Sequence, residues 1–222
     1  MYVTLISYSQ PNPRIAGLQE FDLKDLIAYK ARVSNPANQM NTETAPGLLR
    51  YLQKHKHWSP FEMCHACLEI QTTRDIARQI LRHRSFSFQE FSQRYAIPSM
   101  NDFRAREPRL QDTKNRQNSL PSYDTNLNHT WYEAQIEVWE LARRNYEAAL
   151  EMGIAKEQAR ALLPEGLTES TLFMGGTIRS WMHYIELRTG VETQKEHREV
   201  AMACAKALEP AIDTIMEATH HE

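Results

Sequence analysis

The spacing of apolar residues changes abruptly near residue 73, and this change constrains the fold more than any other feature of the chain. From Cys64 to Thr72, the apolar residues Ala66, Leu68 and Ile70 alternate with polar ones. That period of two is typical of a strand with one buried face. From Asp75 to Arg82 the apolar residues follow helical spacing instead. A strand that leads directly into a helix indicates a fold of mixed type.

Extending this pattern along the chain predicts an α+β fold, with residues 1–222 in a single domain dominated by helices around a small central sheet, antiparallel or mixed. The further strands expected are Tyr2–Ser7 and Thr168–Met174. The further helices expected are Asp22–Val33, Ala45–His55, Thr130–Met152, Lys156–Leu162, Thr177–Arg188 and Thr193 to about Ala218. Gly175-Gly176 is expected to form a turn, and the polar segment Gln111–His129 an irregular surface excursion.

The apolar stripes of three predicted helices, Thr130–Met152, Thr177–Arg188 and Thr193 to about Ala218, predict which residues face the core. The first helix is expected to bury Trp131, Ala134, Val138, Leu141, Ala149 and Met152. The second is expected to bury Trp181, Tyr184 and Ile185, and the last Val200, Cys204, Leu208, Ala211, Ile212 and Ile215.

Charge is distributed unevenly along the chain. The formal net charge is −2, which argues against a protein that coats nucleic acid non-specifically. From Arg74 to Arg106, however, seven arginines face three acidic residues. A basic region this focused predicts a small anionic ligand.

The sequence also bears on cellular location. The segment Met1–Ser9 lacks the pattern of a signal peptide, and no apolar run approaches the roughly 20 residues of a membrane helix. Three cysteines do not make a disulfide framework. We therefore expect a cytoplasmic protein with reduced thiols and no membrane partner.

The segment from Arg82 to Arg94 concentrates groups that bind anions. It reads Arg-His-Arg-Ser-Phe-Ser-Phe-Gln-Glu-Phe-Ser-Gln-Arg. Arginine forks and serine hydroxyls suit phosphate oxygens, and the phenylalanines Phe86, Phe88 and Phe91 are expected to wall the site against water. A solvated surface loop is the simpler alternative, but three phenylalanines are poorly suited to full exposure.

Other candidate sites have plain structural alternatives. The seven glycines form neither a dinucleotide-binding turn nor a phosphate loop. Cys64 and Cys67 would point to opposite faces of a strand and so are not expected to share a metal. The stretch from His57 to Glu62 fits a turn in which Ser59 caps a helix and Glu62 is solvated.

The second half of the chain offers further cations. Arg179 and His183 lie one turn apart on a predicted helix, opposite its apolar face, and Arg188 lies at its end. For Arg179, a solvated helix face explains the residue as well as a functional role does. Arg188 lies at a helix end beside the break at Gly190, a place from which a cation can project into a cleft. From the sequence alone, a solvated position and a functional role both remain open for it.

Together these segments resemble the flavin-dependent thymidylate synthase family. The family signature Arg-His-Arg-x-x-Ser-x-x-x-x-Ser-x-Arg is met by Arg82, His83, Arg84, Ser87, Ser92 and Arg94, followed by Tyr95. Supporting blocks are Ala31 to Ser34, His57 to Glu62, Gln79, Arg160 with Pro164, Leu187-Arg188, Gln194 and Glu196. The resemblance covers nearly the whole chain and is weakest in Gln111–His129.

The resemblance implies a set of site residues. FAD would be contacted by Ser59, Arg82, His83, Arg84, Glu90, Thr177, Ile178, Arg179 and His183. The substrate dUMP would be contacted by Gln79, Ile80, Leu81, Arg82, Glu90, Phe91, Ser92, Gln93, Arg94, Arg160 and Arg188. Arg188 would be the catalytic residue, Ser92 and Arg94 would hold the phosphate, and no metal is implied.

The activity that the resemblance implies is the methylation of dUMP to dTMP. The one-carbon unit would come from methylenetetrahydrofolate and the reducing equivalents from NADPH through FAD. Family members are homotetramers whose sites are shared between chains. Two alternatives remain open from the residues: a nucleotide- or RNA-binding module without catalysis, and a flavoprotein oxidoreductase without methyl transfer.

Overall fold

A computed structural model describes residues 2–99 and 103–211. In chain order its strands are β1 (Tyr2–Tyr8), β2 (His65–Thr73), β3 (Phe86–Glu90), β4 (Arg109–Gln111), β5 (Ser119–Pro121) and β6 (Glu169–Thr177). Its α-helices are α1 (Leu23–Ala31), α2 (Ala45–Lys54), α3 (Ser59–Glu62), α4 (Arg74–Ile80), α5 (Thr125–Glu151), α6 (Lys156–Ala159), α7 (Ile178–Thr189) and α8 (Lys195–Leu208). Short 3-10 turns cover Pro36–Asn38 and Arg160–Leu162.

Four of the strands form one antiparallel sheet in the order β1-β2-β6-β3. The long central pair β2 and β6 is in register from His65 opposite Thr177 to Thr73 opposite Glu169. β1 and β3 are therefore the two edges. The predicted α+β class is confirmed, and the sheet is antiparallel.

The core lies between this sheet and the helices. In β2 every second side chain is buried, including Leu68 and Ile70, as the alternation predicted. Helix α8 contacts both β1 and β2, and α7 packs against α8. Because α4 follows β2 without a loop, its buried residues Ile76 and Ile80 join the same core. The residues that follow α4 lead from this core into the edge strand β3.

The buried faces of the last two helices were predicted correctly. Trp181, Tyr184 and Ile185 are fully buried on α7, and Trp181 Nε1 donates to the carbonyl of Ala66 in β2 over 3.1 Å. On α8 and its end, Val200, Cys204, Leu208 and Ala211 are buried. Ile212 and Ile215, expected on the same stripe, lie outside the described residues.

The predicted turn at Gly175-Gly176 is wrong, because both glycines lie inside β6 and pair with β2 and β3. The Phe86 ring of β3 lies directly over Gly176. A Cβ on Gly176 would stand 2.4 Å from Cδ1 of that ring, closer than any real contact. Glycine is required here by the close approach of the aromatic ring, not by a turn.

The buried face of α5 also differs from the prediction. The buried residues are Gln135, Trp139, Ala142, Tyr146 and Ala149. Of the expected set only Ala149 is buried, whereas Trp131, Ala134, Val138, Leu141 and Met152 are exposed. The burial of Gln135 has a reason: its amide bonds both the N–H and the carbonyl of Arg106. At the other end of the buried face, Tyr146 and Ala149 pack against Ala159 and Leu163. The residues that pack beside α5 therefore decide which of its faces is buried.

The segment Gln111–His129 is more regular than expected. Strands β4 and β5 form a short hairpin in which Leu110 pairs with Leu120, and α5 begins at Thr125, where Asp124 caps the first turn. The expected helix Lys156–Leu162 is α6 followed by a 3-10 turn. No helix within residues 2–99 and 103–211 is long and apolar enough to cross a membrane.

Candidate active site

The segment from Arg82 to Arg94 begins at the end of α4 and continues into the edge strand β3. A tight turn links the two, with the N–H of His83 donating to the carbonyl of Ile80 over 3.0 Å. Phe86 packs edge-on against Trp181 with ring centres 4.8 Å apart, and Phe88 packs on the same core. The expected aromatic wall is therefore largely a core contact, which leaves the polar residues of the segment on the other face.

Two predicted site residues far apart in sequence meet directly. Nε of Arg188, in the last turn of α7, donates a hydrogen bond of 2.8 Å to Nε2 of His83. His83 also packs edge-on against Tyr184, with ring centres 4.9 Å apart. The core position of Tyr184 thus fixes the ring that orients Arg188. The two Nη groups of the guanidinium remain as donors for a ligand.

The hydrogen bond from Arg188 requires a neutral imidazole, because a protonated histidine has no acceptor. Burial, followed by the charges of Arg188, His183 and Arg82, lowers the pKa of His83 to about 4. Arg82 and His183, two residues for which the resemblance implies FAD contacts, therefore lie close to His83. At neutral pH His83 accepts from Arg188, and the positive charge of the cluster stays on the side chains that can face a ligand.

A second histidine, missed by the sequence analysis, lies beside this pair. His197 is fully buried, with its ring centre 6.4 Å from that of His83. Its Nδ1 lies 3.2 Å from Oε1 of Gln79, and its Nε2 lies 3.2 Å from the hydroxyl of Tyr184. The sequence feature that could have indicated this buried residue is the position of His197 on the apolar face of α8, one turn before Val200 and Ala201.

A second group of predicted residues lies where α7 begins. Thr177 caps the helix by accepting from the N–H of Ser180 over 3.1 Å, and its hydroxyl lies 3.1 Å from Oε2 of Glu62. Glu62 also pairs with Arg179 at 3.5 Å. Glu62 is therefore exposed to solvent, as predicted, and is also paired with two residues of α7 and its cap. Ser59 opens α3 without a side-chain cap, so its expected capping role is wrong.

A third group lies at the opposite end of α4. Oε1 of Glu90 accepts a hydrogen bond of 2.8 Å from Ser170 and lies 3.5 Å from Nη1 of Arg74, the first residue of α4. Arg74 and the predicted residues Gln93 and Arg160 line one pocket of about 390 Å³. Gln93 is buried, and its Nε2 has no hydrogen-bond partner among the described residues. Such a donor is costly unless a ligand satisfies it.

The remaining predicted residues differ in exposure. Arg82, Arg84, Arg94 and His183 are exposed, while Leu81, Phe91 and Ser92 are half-buried. Nε of Arg94 lies 3.4 Å from Glu157, an exposed pair that contributes little to stability. The side chains of Ile80 and Ile178 are fully buried in the core. Neither residue exposes an atom to solvent in the isolated chain, so a contact of either with a ligand stays a prediction.

The cysteines show no sign of shared chemistry. Cys64 and Cys204 are buried and Cys67 is half-buried, all as free thiols. Burial raises the pKa of Cys204 far above its usual range, so this thiol is a core residue, as predicted. Among the described residues, no group of three or more histidine, cysteine or acidic side chains is arranged to hold a metal ion.

The family to which the chain belongs is settled by a match that spans most of its length. The family model described as thymidylate synthase complementing protein matches residues 18–212. The chain belongs to this family. The resemblance drawn from the Arg82 to Arg94 signature is thereby confirmed, since curated relatives of this thymidylate synthase complementing family are named flavin-dependent thymidylate synthases.

Two such relatives are similar over nearly their whole length. A probable flavin-dependent thymidylate synthase of Paramecium bursaria Chlorella virus 1 is 50% identical over 204 residues, covering 92% of each chain. A flavin-dependent thymidylate synthase of Synechocystis sp. is 47% identical over 218 residues, covering 98% of this chain and 99% of the relative.

A solved structure supports the fold of this family member. The UMP/dUMP methylase PolB of Streptomyces cacaoi, bound with 5-Br dUMP, superposes with a TM-score of 0.81 at 27% identity. The superposition covers 97% of this chain and 93% of that one. A second structure of PolB, bound with 5-Br UMP, gives a TM-score of 0.78 at 26% identity.

Proposed function

We propose that the chain is a flavin-dependent thymidylate synthase that methylates dUMP to dTMP, with methylenetetrahydrofolate as one-carbon donor and NADPH as reductant through FAD. The observation that carries this proposal is the hydrogen bond from Arg188 to a neutral His83. It joins the signature segment to the α7 cation that the resemblance marks as catalytic. The names of the relatives support the activity and the flavin, and PolB supports a uridylate substrate.

Arg188 is proposed to stabilise the negative charge that develops on the uracil when C5 becomes nucleophilic. His83 holds Nε, so the guanidinium has one orientation before substrate arrives. A donor fixed in advance stabilises developing charge without the cost of reorienting it. No cysteine lies among these residues, which agrees with a mechanism in which the protein activates uracil by polarisation and not by covalent attachment.

The residues at the amino end of α7 fit a flavin dinucleotide. Thr177, Arg179 and Ser59 of the adjoining α3 offer hydroxyl, guanidinium and helix N-terminal donors, the groups that bind a pyrophosphate. Arg179 is about two-fifths exposed, so its donors are accessible. Bound FAD would supply the redox chemistry and the route for the one-carbon unit. The residues of the chain bind and orient it.

The pocket at the other end of α4 is proposed to take the phosphate of dUMP. Arg160 and the unpartnered donor of Gln93 line it, and Ser92 and Arg94 follow β3 close by. Arg74 adds a buried guanidinium that the resemblance did not include. Its Nη1 also lacks a hydrogen-bond partner among the described residues, although it pairs with Glu90. Two such donors in one pocket favour an oxyanion ligand.

The positions of the site residues along α4 also bear on assembly. Gln79 and Arg188 belong to one end of α4, whereas Gln93 and Arg160 belong to the other. A homotetramer in which neighbouring copies complete each other's sites would bring these sets together. Three free cysteines agree with a reducing, cytoplasmic setting. We propose that residues 1–222 act as one domain in this assembly.

UMP is a second candidate substrate, because PolB is described as a UMP/dUMP methylase and was solved with both 5-bromo nucleotides. The test is an assay for methylated product from dUMP or UMP with methylenetetrahydrofolate, NADPH and FAD, each omitted in turn. dTMP formation that needs all four supports the proposal. NADPH oxidation without a methylated nucleotide would instead favour an oxidoreductase, and salt-sensitive RNA binding without flavin would favour a binding module.

A further inference from the structure

A continuous row of hydrogen bonds runs from the core of α7 to the surface hairpin. The Tyr184 hydroxyl is 3.2 Å from His197, and His197 is 3.2 Å from Gln79. Nε2 of Gln79 then donates over 2.8 Å to Oε1 of Gln194, whose own Nε2 donates over 2.9 Å to Glu196. Arg109 closes the row with a bond of 2.5 Å to Glu196. We call this the Gln79 row, formed by Tyr184, His197, Gln79, Gln194, Glu196 and Arg109.

The ionised carboxylate of Glu196 fixes which group donates and which accepts in each hydrogen bond of the Gln79 row. Burial alone would raise the pKa of Glu196, but the hydrogen bonds from Arg109 and Gln194 together lower it. An ionised carboxylate only accepts, so the amide of Gln194 must turn its NH₂ group toward Glu196 and its carbonyl toward Gln79. Gln79 must in turn donate through Nε2, which leaves its carbonyl facing His197.

The histidine completes this assignment. Because the Gln79 carbonyl can only accept, Nδ1 of His197 carries the proton, and the bare Nε2 accepts from Tyr184. Burial, then the charges of Arg188 and His83, lowers the pKa of His197 to about 3. Burial likewise raises the pKa of Tyr184 well above its usual range. At neutral pH both groups keep the forms that this direction requires.

The row holds Gln79 without using all of its hydrogen-bonding capacity. A carboxamide has two N–H donors and two acceptor lone pairs, and the row takes one of each. Rotating the amide by half a turn would oppose N–H to N–H at His197 and carbonyl to carbonyl at Gln194. Gln79 is half-buried, and the row fixes which side of its amide carries the remaining donor and which side carries the remaining acceptor.

We infer that His197 is a positioning residue: it locks the Gln79 carboxamide in the one orientation that presents a donor and an acceptor to the bound pyrimidine nucleotide. This inference rests on the proposed function, in which Gln79 contacts dUMP. His197 itself does not touch the nucleotide. A role through Gln79 predicts that losing His197 weakens dUMP binding only while Gln79 is present.

The test is a double-mutant cycle on dUMP affinity with the flavin-loaded, full-length enzyme. His197→Leu is expected to raise the Kd for dUMP about five- to tenfold, the effect of one hydrogen bond. Gln79→Ala is expected to raise it by a similar factor, and the double variant by no more than Gln79→Ala alone. Two effects that multiply in the double variant would overturn the inference.

Two further variants separate positioning from general loss of packing. His197→Asn keeps a donor near the place of Nδ1 and is expected to recover most of the affinity. Val200→Ala, buried one turn along α8 and outside the Gln79 row, is expected to lower the melting temperature without changing the Kd. Equal loss of affinity in Val200→Ala, or no recovery in a folded His197→Asn, would count against a positioning role.

The outcomes also distinguish this inference from the proposed function. A wild-type enzyme that forms dTMP alongside a His197→Leu variant of unchanged affinity would overturn the inference alone. A wild-type enzyme that does not bind dUMP would overturn both.

Discussion

Arg188 donates from Nε to Nε2 of His83 over 2.8 Å, and this contact joins a residue of α7 to one that follows α4 more than a hundred positions earlier. It works only while His83 is neutral. Burial, followed by the charge of Arg188, lowers the pKa of His83 to about 4 and so keeps it neutral. The orientation of Arg188 is therefore set before any ligand binds.

The first prediction concerns Arg188 itself. Arg188→Ala should fold and keep its flavin but lose about 10²- to 10³-fold in the rate of dTMP formation, because a preorganised donor is removed. Arg188→Lys should restore little, since lysine has no equivalent of both Nε and Nη. Single-turnover formation of dTMP and the flavin absorbance of the purified protein measure this. Arg143→Ala, which removes a half-buried cation of α5 that pairs with Glu147, serves as the control. Full activity in Arg188→Ala would contradict the assigned role.

The second prediction concerns acid stability. The pKa of His197 is lowered to about 3 in the folded protein. Below pH 6.5, the usual pKa of a histidine, the unfolded chain therefore binds a proton at His197 that the folded chain does not. The stability from this group is complete above pH 6.5 and falls as the pH drops toward 3. At pH 5 the loss amounts to about 2 kcal/mol. Denaturant unfolding at pH 7 and at pH 5 measures this loss of stability. The free energy of unfolding should fall less between the two pH values in His197→Asn than in the wild type, and an equal fall in both proteins would refute the prediction.

The third prediction concerns the glycine under Phe86. Gly176→Ala would bring a Cβ within 2.4 Å of the ring, so the free energy of unfolding should fall by about 1 to 3 kcal/mol. Gly175→Ala is the matched control, because its Cβ would meet Cys67 at an ordinary 3.9 Å. Thermal unfolding of both variants provides the comparison. A Gly176→Ala protein as stable as the Gly175→Ala protein would show that β3 shifts freely.

The fourth prediction concerns the buried donor in the pocket that is proposed to take the phosphate of dUMP. Gln93→Leu removes an amide whose Nε2 has no partner in the described part of the chain, so stability should hold or rise slightly. The KM for dUMP should rise about tenfold, because a bond to a charged phosphate is lost. Steady-state kinetics and thermal unfolding measure the two effects together. A large loss of stability with an unchanged KM would place Gln93 in the fold and not in the site.

Much of the fold could be predicted from local patterns. The buried alternation of β2 and the buried face of α7 were predicted correctly, because in each case the pattern lies entirely within the residues of one element. The position of Gly176 inside a strand could not be predicted in this way, because the glycine is required there by the ring of Phe86, 90 positions earlier in the chain. Strands β4 and β5 have three residues each, too few for an alternation to appear.

The site divides in the same way. The Arg82 to Arg94 signature is contiguous and was found directly, whereas His197 looked like one more position on the apolar face of α8. Its polar partners, Gln79 and Tyr184, come from two other helices. A buried histidine is recognisable as part of a site only once the fold brings its partners to it.

Helix α4 has a consequence beyond its role as a support. It carries Arg74 as its first residue and Gln79 as its sixth, so it spaces the two ends by roughly 7 to 8 Å along its axis. One inserted or deleted residue would turn one end about 100° relative to the other. The length of this short helix thus sets both the distance and the relative orientation of its two ends, and substitutions of side chains could not compensate for a change in that length.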